Sequence, residues 1–114
     1  MGVAWHGEYL AWFEVGRTEL LRDLGLTYRE LEQQGLRLPV IEVQVRYLRP
    51  AVYDDLLEVR TGISQLSGAR VVFVYEVVRE GAPGPLATGT TSHAAVDREG
   101  RPRRLPEDLR RRLS

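Results

Sequence analysis

The sequence of 114 residues holds two histidines, His6 and His93, and no cysteine. Without cysteine there is no thiolate nucleophile, no disulfide framework and no Cys-ligated metal. Two imidazoles with no fixed spacing make a poor metal set, so no metal centre is expected. A G-x-S-x-G elbow for a serine nucleophile is absent, as are the G-x-x-x-x-G-K-[ST] and G-x-G-x-x-G phosphate loops. The remaining candidates gather near the start: His6, Glu8, Tyr9, Glu14 and Arg17. Glu14 and Arg17 are three apart, which suits an intrahelical ion pair of roughly 0.2–0.5 kcal/mol. Glu8 suits a helix start, where the dipole favours a carboxylate. Tyr9, at helical spacing, either packs the core or lines a pocket. Further on, "LSGAR" reads as an ordinary hairpin turn with Arg70 a solvated arginine.

These residues need elements to hold them. From Glu8 to Leu24 the apolar residues Tyr9, Leu10, Trp12, Phe13, Leu20, Leu21 and Leu24 recur at spacings of three and four, predicting one helix. Gly16 interrupts that face at its midpoint. Mid-helix glycine costs ~1 kcal/mol relative to alanine, so a close crossing over a sheet is expected there. Gly25 supplies the stop. Thr27 and Glu30 fit a capping box opening a second helix, which Gly35 ends after two turns.

From Pro39 the period becomes two. Ile41, Val43, Val45 and Tyr47 share one face of a half-buried strand, and Pro50 closes it. "YDDLLEVRTGISQL" is a second strand with Leu57, Val59, Thr61 and Ile63 on one face. "VVFVYEVV" is predicted as a central strand buried on both faces, and "LATGTTSHAAVD" as the last. "LPEDLRRRL" is a short helix with proline at its first position, acids in its first turn and arginines in its last. One helix over an antiparallel sheet gives an α+β architecture in two layers across a single domain, 1–114. It leaves strand edges and apolar surface open, so self-association is expected.

Composition narrows the function. Sixteen cations balance sixteen acids, which gives no electrostatic case for nucleic acid or an anionic membrane surface. No basic leader with an apolar core and no apolar run near ~20 residues occurs, so a cytoplasmic protein with no membrane insertion is expected.

Taken together, "MGVAWHGEYLAWFEVGRTELL", "LPVIEVQVRYLRPAVYDDLLEVRT" and "SGARVVFVYEVV" resemble the hotdog-fold acyl-CoA thioesterases of the 4-hydroxybenzoyl-CoA thioesterase family. Among them the similarity is greatest to the small bacterial thioesterases encoded with the Tol-Pal envelope system. The G-V-x-x-H-x-x-Y-x-x-x-x-E-x-x-R pattern from Gly2 to Arg17 and "RYLRPA" carry it, and it covers the chain from Gly2 onward. The resemblance implies a hotdog fold and hydrolysis of a thioester to free acid and coenzyme A. The coenzyme is part of the substrate, and no other cofactor is implied.

Residue roles follow from the resemblance. Thioester hydrolysis needs a carboxylate as base or nucleophile and donors for the oxyanion. The donors fall on the backbone around His6 and Gly7, and the His6 side chain would bond the substrate or orient the carboxylate. The family's aspartate stands three residues before the glycine matching Gly2, so both it and the first strand are expected ahead of residue 1. A weakly active chain is the corollary. Glu14 is the in-chain substitute, since some hotdog thioesterases carry a glutamate on this helix. Coenzyme A phosphates are implied at Ser67, Gly68 and Arg70, with Arg49 as a second phosphate candidate. The acyl group would lie between subunits of a homodimer or homotetramer, against Leu38 and Val40. The alternative is a non-catalytic hotdog subunit that binds acyl-CoA or an acyl carrier protein.

Overall fold

The computed structural model describes residues 6–49, 56–81 and 84–114, with side chains from Tyr9 onward. Their order is α1 (His6–Asp23), α2 (Tyr28–Gln33), β1 (Val40–Tyr47), β2 (Leu57–Ser67), β3 (Arg70–Arg79), β4 (Pro85–Ala94) and α3 (Glu107–Leu113). The expected elements are present, with shifted edges. Tyr53 to Asp55, placed by the sequence in the second strand, lie outside the described residues, as does Pro50.

The helix ends obey local chemistry. Gly25 and Gly35 adopt φ of 79° and 78°, and beyond them Leu26 and Leu36 donate back to the Leu21 and Leu31 carbonyls. These left-handed stops are the ones glycine supplies without a Cβ penalty. The Glu30 amide donates to Thr27 Oγ1 at 3.1 Å, capping α2. Pro106 departs from expectation. Its ψ of 145° keeps it outside α3 as the cap residue, so the helix proper starts at Glu107.

The four strands form one antiparallel sheet in the order β1-β4-β3-β2. Tyr47 pairs with Ala87 and Val40 with His93, so β1 and β4 run their full length together. On β3, Val71, Phe73, Tyr75 and Val77 face the helix and are fully buried. The alternate residues Val72 and Val74 are only half-buried, which corrects the expectation of two buried faces. Their face of the sheet is open, with Arg60 between Glu58 and Glu76 at 3.6 Å from each.

Helix α1 crosses the other face obliquely. Near its start Tyr9 meets Tyr47 of β1, Phe13 lies against Gly89 of β4, and Gly16 sits against Thr61 and Val59 of β2. A Cβ at Gly16 would collide with the Thr61 side chain, so the expected close crossing is there. The helix is therefore nearest β2 and leaves β1 uncovered. Among the described residues Val40, Ile41, Val43 and Tyr47 are 41–50% exposed, so of the face expected to be half-buried only Val45 is so. Among the described residues β1 is also an unpaired sheet edge. Beyond the sheet, Leu26, Leu31, Leu36, Leu105, Leu109 and Leu113 extend the core under α2 and α3.

Candidate functional site

Helix α1 begins at His6, so the amides of its first turn have no acceptor within the helix. The positive end of the helix dipole adds to their pull on a developing oxyanion. This is the position expected for donors on the His6 and Gly7 backbone. The side chains of His6 and Glu8 lie outside the described residues.

Three rings stand beside that helix start. Tyr9 is 1% exposed and meets Trp12 edge-on at 4.9 Å and Tyr47 at 5.0 Å. Tyr9 is thus the inner ring of an aromatic wall whose outer rings reach the surface. Neither Trp12 nor Tyr47 is a candidate from sequence. A spacing of three from Tyr9 marks Trp12, but only the fold brings Tyr47 to the helix.

Glu14 points to solvent. The expected Glu14–Arg17 pair is not what holds Arg17, because its guanidinium donates instead to two phenols. Arg17 Nε reaches Tyr28 at 2.7 Å and a terminal nitrogen reaches Tyr75 at 2.9 Å. Packing decides this: Arg17 sits on the buried helix face with Tyr9 and Phe13, where a buried cation must find acceptors. The bonding continues from Tyr75 to Thr91 Oγ1 at 2.6 Å, to His93 Nε2 at 2.8 Å, and from Nδ1 to the Leu38 carbonyl at 2.8 Å.

A carbonyl only accepts, so His93 Nδ1 carries the proton and Nε2 accepts from Thr91. Thr91 in turn accepts from Tyr75, whose oxygen accepts from Arg17. Each bond of the chain then has one donor and one acceptor, with a neutral imidazole at the end. Burial lowers the His93 pKa below its ordinary value; the Leu38 bond opposes this and the Arg17 charge adds to it. Burial likewise raises the Tyr28 pKa, with Arg17 opposing. Burial would lower the Arg17 pKa, but its phenol partners more than offset this and raise it. With both ring nitrogens engaged, His93 has no free lone pair for a metal. No three His, Asp or Glu side chains converge among the described residues.

Ser67 and Arg70 pair across the β2–β3 hairpin, and both are exposed. The Gly68 carbonyl accepts from the Leu105 amide at 2.8 Å, which lays the C-terminal segment on this turn. That brings the exposed Arg104 guanidinium within 3.8 Å of where a Gly68 Cβ would stand. Sequence spacing gives no hint of Arg104, which lies 36 residues from Gly68 and meets it only through that backbone bond.

Arg49 lies elsewhere. Its guanidinium rests on Gly84, at the end of the sheet where Leu86 accepts from the Arg49 amide. Arg70 pairs with Ala94 at the opposite end. Eight residues of β4 separate the two levels, roughly 27 Å at ~3.4 Å per residue. Within one chain Arg49 and Arg70 cannot hold the same phosphate. Of the acyl-wall candidates, Leu38 is half-buried and lines a cleft of about 450 Å³ with Tyr28, Leu31, Leu36, Pro39 and Val96, while Val40 is exposed.

Residues 1–113 match the family described as Thioesterase-like superfamily. The acyl-CoA thioesterase YbgC of Haemophilus influenzae is 38% identical over 97 residues, covering 84% of this chain and 70% of that protein. A hypothetical protein from Thermus thermophilus superposes with a TM-score of 0.88 at 37% identity, over 99% of this chain and 85% of that one. A DHNA-CoA thioesterase from Staphylococcus aureus does so at 0.83 and 34% identity, over 92% and 70%.

Proposed function

The chain belongs to the thioesterase-like superfamily, and from that premise we propose that it hydrolyses an acyl-CoA thioester to a free acid and coenzyme A. The observation that carries this is the start of α1 at His6 beside the Tyr9–Trp12–Tyr47 wall. As water or a carboxylate attacks the carbonyl carbon, negative charge gathers on the carbonyl oxygen, and amides already aimed at it stabilise that charge without reorganising. The leaving thiolate takes a proton and departs as coenzyme A. The resemblance gives the base to an aspartate ahead of Gly2. Glu14, exposed on α1, is the substitute within these residues.

The coenzyme's phosphates suit the Ser67–Arg70 turn, where Arg70 is exposed and the Arg104 guanidinium stands near Gly68. That turn lies at the level of Ala94, and the start of α1 at that of Ala87, roughly 24 Å away along the strands. A second copy shortens the path by setting one chain's turn near the other's helix start. The uncovered face and open edge of β1 suit the same pairing, so the working form is read as a homodimer or homotetramer. No described helix is long and apolar enough to cross a membrane, and the compartment read for it is the cytoplasm.

A free-thiol assay on a panel of acyl-CoAs tests this. Release of coenzyme A that Trp12→Ala and Tyr47→Ala alter by acyl type supports the reading. Binding without release favours a non-catalytic acyl-CoA subunit.

A further inference from the structure

The hydrogen-bond chain behind the sheet has both its ends on one cleft. Tyr28 and Leu38 line the same space of about 450 Å³. Between them the chain passes inside the protein through Arg17 of α1, Tyr75 of β3, and Thr91 and His93 of β4. Four of these six residues are nearly inaccessible: Arg17, Tyr75, Thr91 and His93 are each no more than 9% exposed. Polar groups in such a place are costly unless partnered, and here each of the five bonds joins one donor to one acceptor. His93 holds its end firmly. Its ring stands edge-on to Phe73 at 5.2 Å, which fixes the plane in which Nδ1 points at the Leu38 carbonyl.

The segment it grips is held otherwise by backbone pairing on either side. Leu38, Pro39 and Val40 lead from α2 into β1, the uncovered strand. Around them the backbone bonds run from Arg37 to Val96 and from Ala94 to the Pro39 carbonyl. The Leu38 carbonyl is satisfied by the imidazole.

We propose that His93 is a positioning residue for the acyl group, setting the Leu38–Pro39 lip of the cleft through its bond to the Leu38 carbonyl and tying that lip to α1 through Thr91, Tyr75 and Arg17. This rests on the acyl-CoA reading above and adds a determinant of acyl selectivity to it. His93 touches no substrate and moves no proton in the reaction.

Acid gives the chain a distinctive weakness. A proton on Nε2 turns that nitrogen into a donor facing Thr91, so the hydroxyls must reverse and one donor is left without an acceptor. The groups facing the ring are Thr91 on its own strand, Phe73 on β3, and the Leu38 carbonyl. Arg17 from α1, Tyr75 from β3 and Tyr28 from α2 stand further along the chain, and no carboxylate bonds the ring to welcome the charge. Nδ1–H still donates to the Leu38 carbonyl in the charged ring, so the disruption falls at the Thr91 end, and the lip should respond as His93 protonates, below the ordinary histidine range.

The test compares the unaltered protein with His93→Leu and His93→Asn on acyl-CoAs of increasing length. NMR follows residues 38–41 and the His93 ring through an acid titration. His93→Leu removes the donor and should raise KM for the longer acyl groups roughly five- to tenfold, the equivalent of one hydrogen bond. The kcat on the shortest should stay within about twofold. His93→Asn keeps an N–H near the Nδ1 position and should restore most of the wild-type KM. In the unaltered protein residues 38–41 should titrate with the His93 midpoint, and in His93→Asn that step should vanish. An unchanged acyl profile in His93→Leu, or lip signals that do not follow the ring, would overturn the proposal. If His93→Leu fails to fold, the His93→Asn comparison and the wild-type titration decide. Absence of acyl-CoA hydrolysis and binding in the unaltered protein would instead sink the acyl-CoA reading. The co-titration would still show whether His93 sets the lip.

Discussion

Gly89 is a second point, beside Gly16, where the helix and the sheet meet tightly, and replacing it by alanine should be costly. A Cβ there would stand 2.5 Å from Phe13 Cε2, 2.7 Å from Cζ and 2.9 Å from the Gln44 carbonyl oxygen. The ring cannot swing clear, because it is stacked on Tyr75 at a centroid distance of 4.3 Å and an angle of 11°. The carbonyl cannot move either, since β1 and β4 are paired along that stretch. Overpacking of a well-filled core costs ~1–3 kcal/mol, and with both neighbours fixed the upper half is expected, about 2–3 kcal/mol. For a domain of this size that lowers the Tm by roughly 8–15 °C. The assay is urea unfolding at one fixed protein concentration, because association would shift the midpoint. Phe13→Leu removes the two closest ring atoms but leaves Gln44. The double variant should therefore recover about 1–2 kcal/mol relative to the sum of the singles. A Gly89→Ala loss below about 0.5 kcal/mol, or strict additivity with Phe13→Leu, would refute the contact reasoning.

Other outcomes follow from the same packing. Thr61 Oγ1 is buried against Gly16 with no hydrogen-bond partner among the described residues, so Thr61→Val should stabilise by about 1 kcal/mol in the same urea assay. Arg17→Met strips the donor from the buried Tyr75 hydroxyl and should destabilise by roughly 1–3 kcal/mol, read as an earlier urea midpoint with unchanged slope. Because the folded protein holds the His93 pKa below its ordinary value, the unfolded chain binds that proton first. Stability should fall as pH drops below about 6.5 and level off beneath the lowered folded value, while His93→Asn flattens that limb of a Tm–pH curve. Val43, 41% exposed on the open edge strand, is expected in a subunit contact. Val43→Lys should move the sedimenting species toward the 13.0 kDa monomer at micromolar concentration.

The elements were legible because their signals are local. Spacings of three and four gave α1, the glycines its stop, alternation the strands, and an unexplained mid-helix glycine the place where helix meets sheet. What sequence could not supply was any pairing across distance. Arg17 is four residues from Phe13 on one helix face, yet its partners Tyr28 and Tyr75 come from α2 and β3, so the nearer Glu14 was a natural but mistaken choice. His93 looked like a stray imidazole among small residues. Its role depends on Thr91 below it and a carbonyl 55 residues away. Arg104 and Tyr47 reach their sites only through the fold. The alternation in "PVIEVQVRY" was correct as a pattern and misleading as burial, because no described residue covers most of that face.

The measurement closest to the central claim is thiol release from acyl-CoAs with the start of α1 altered. Coenzyme A thiol should appear above the uncatalysed rate and saturate with substrate. Gly7→Pro should suppress it by roughly 10²–10³-fold, the scale of one lost oxyanion donor, while the urea midpoint changes little. Thiol release that persists unchanged in Gly7→Pro, or saturable acyl-CoA binding with no release in the unaltered protein, would contradict the account.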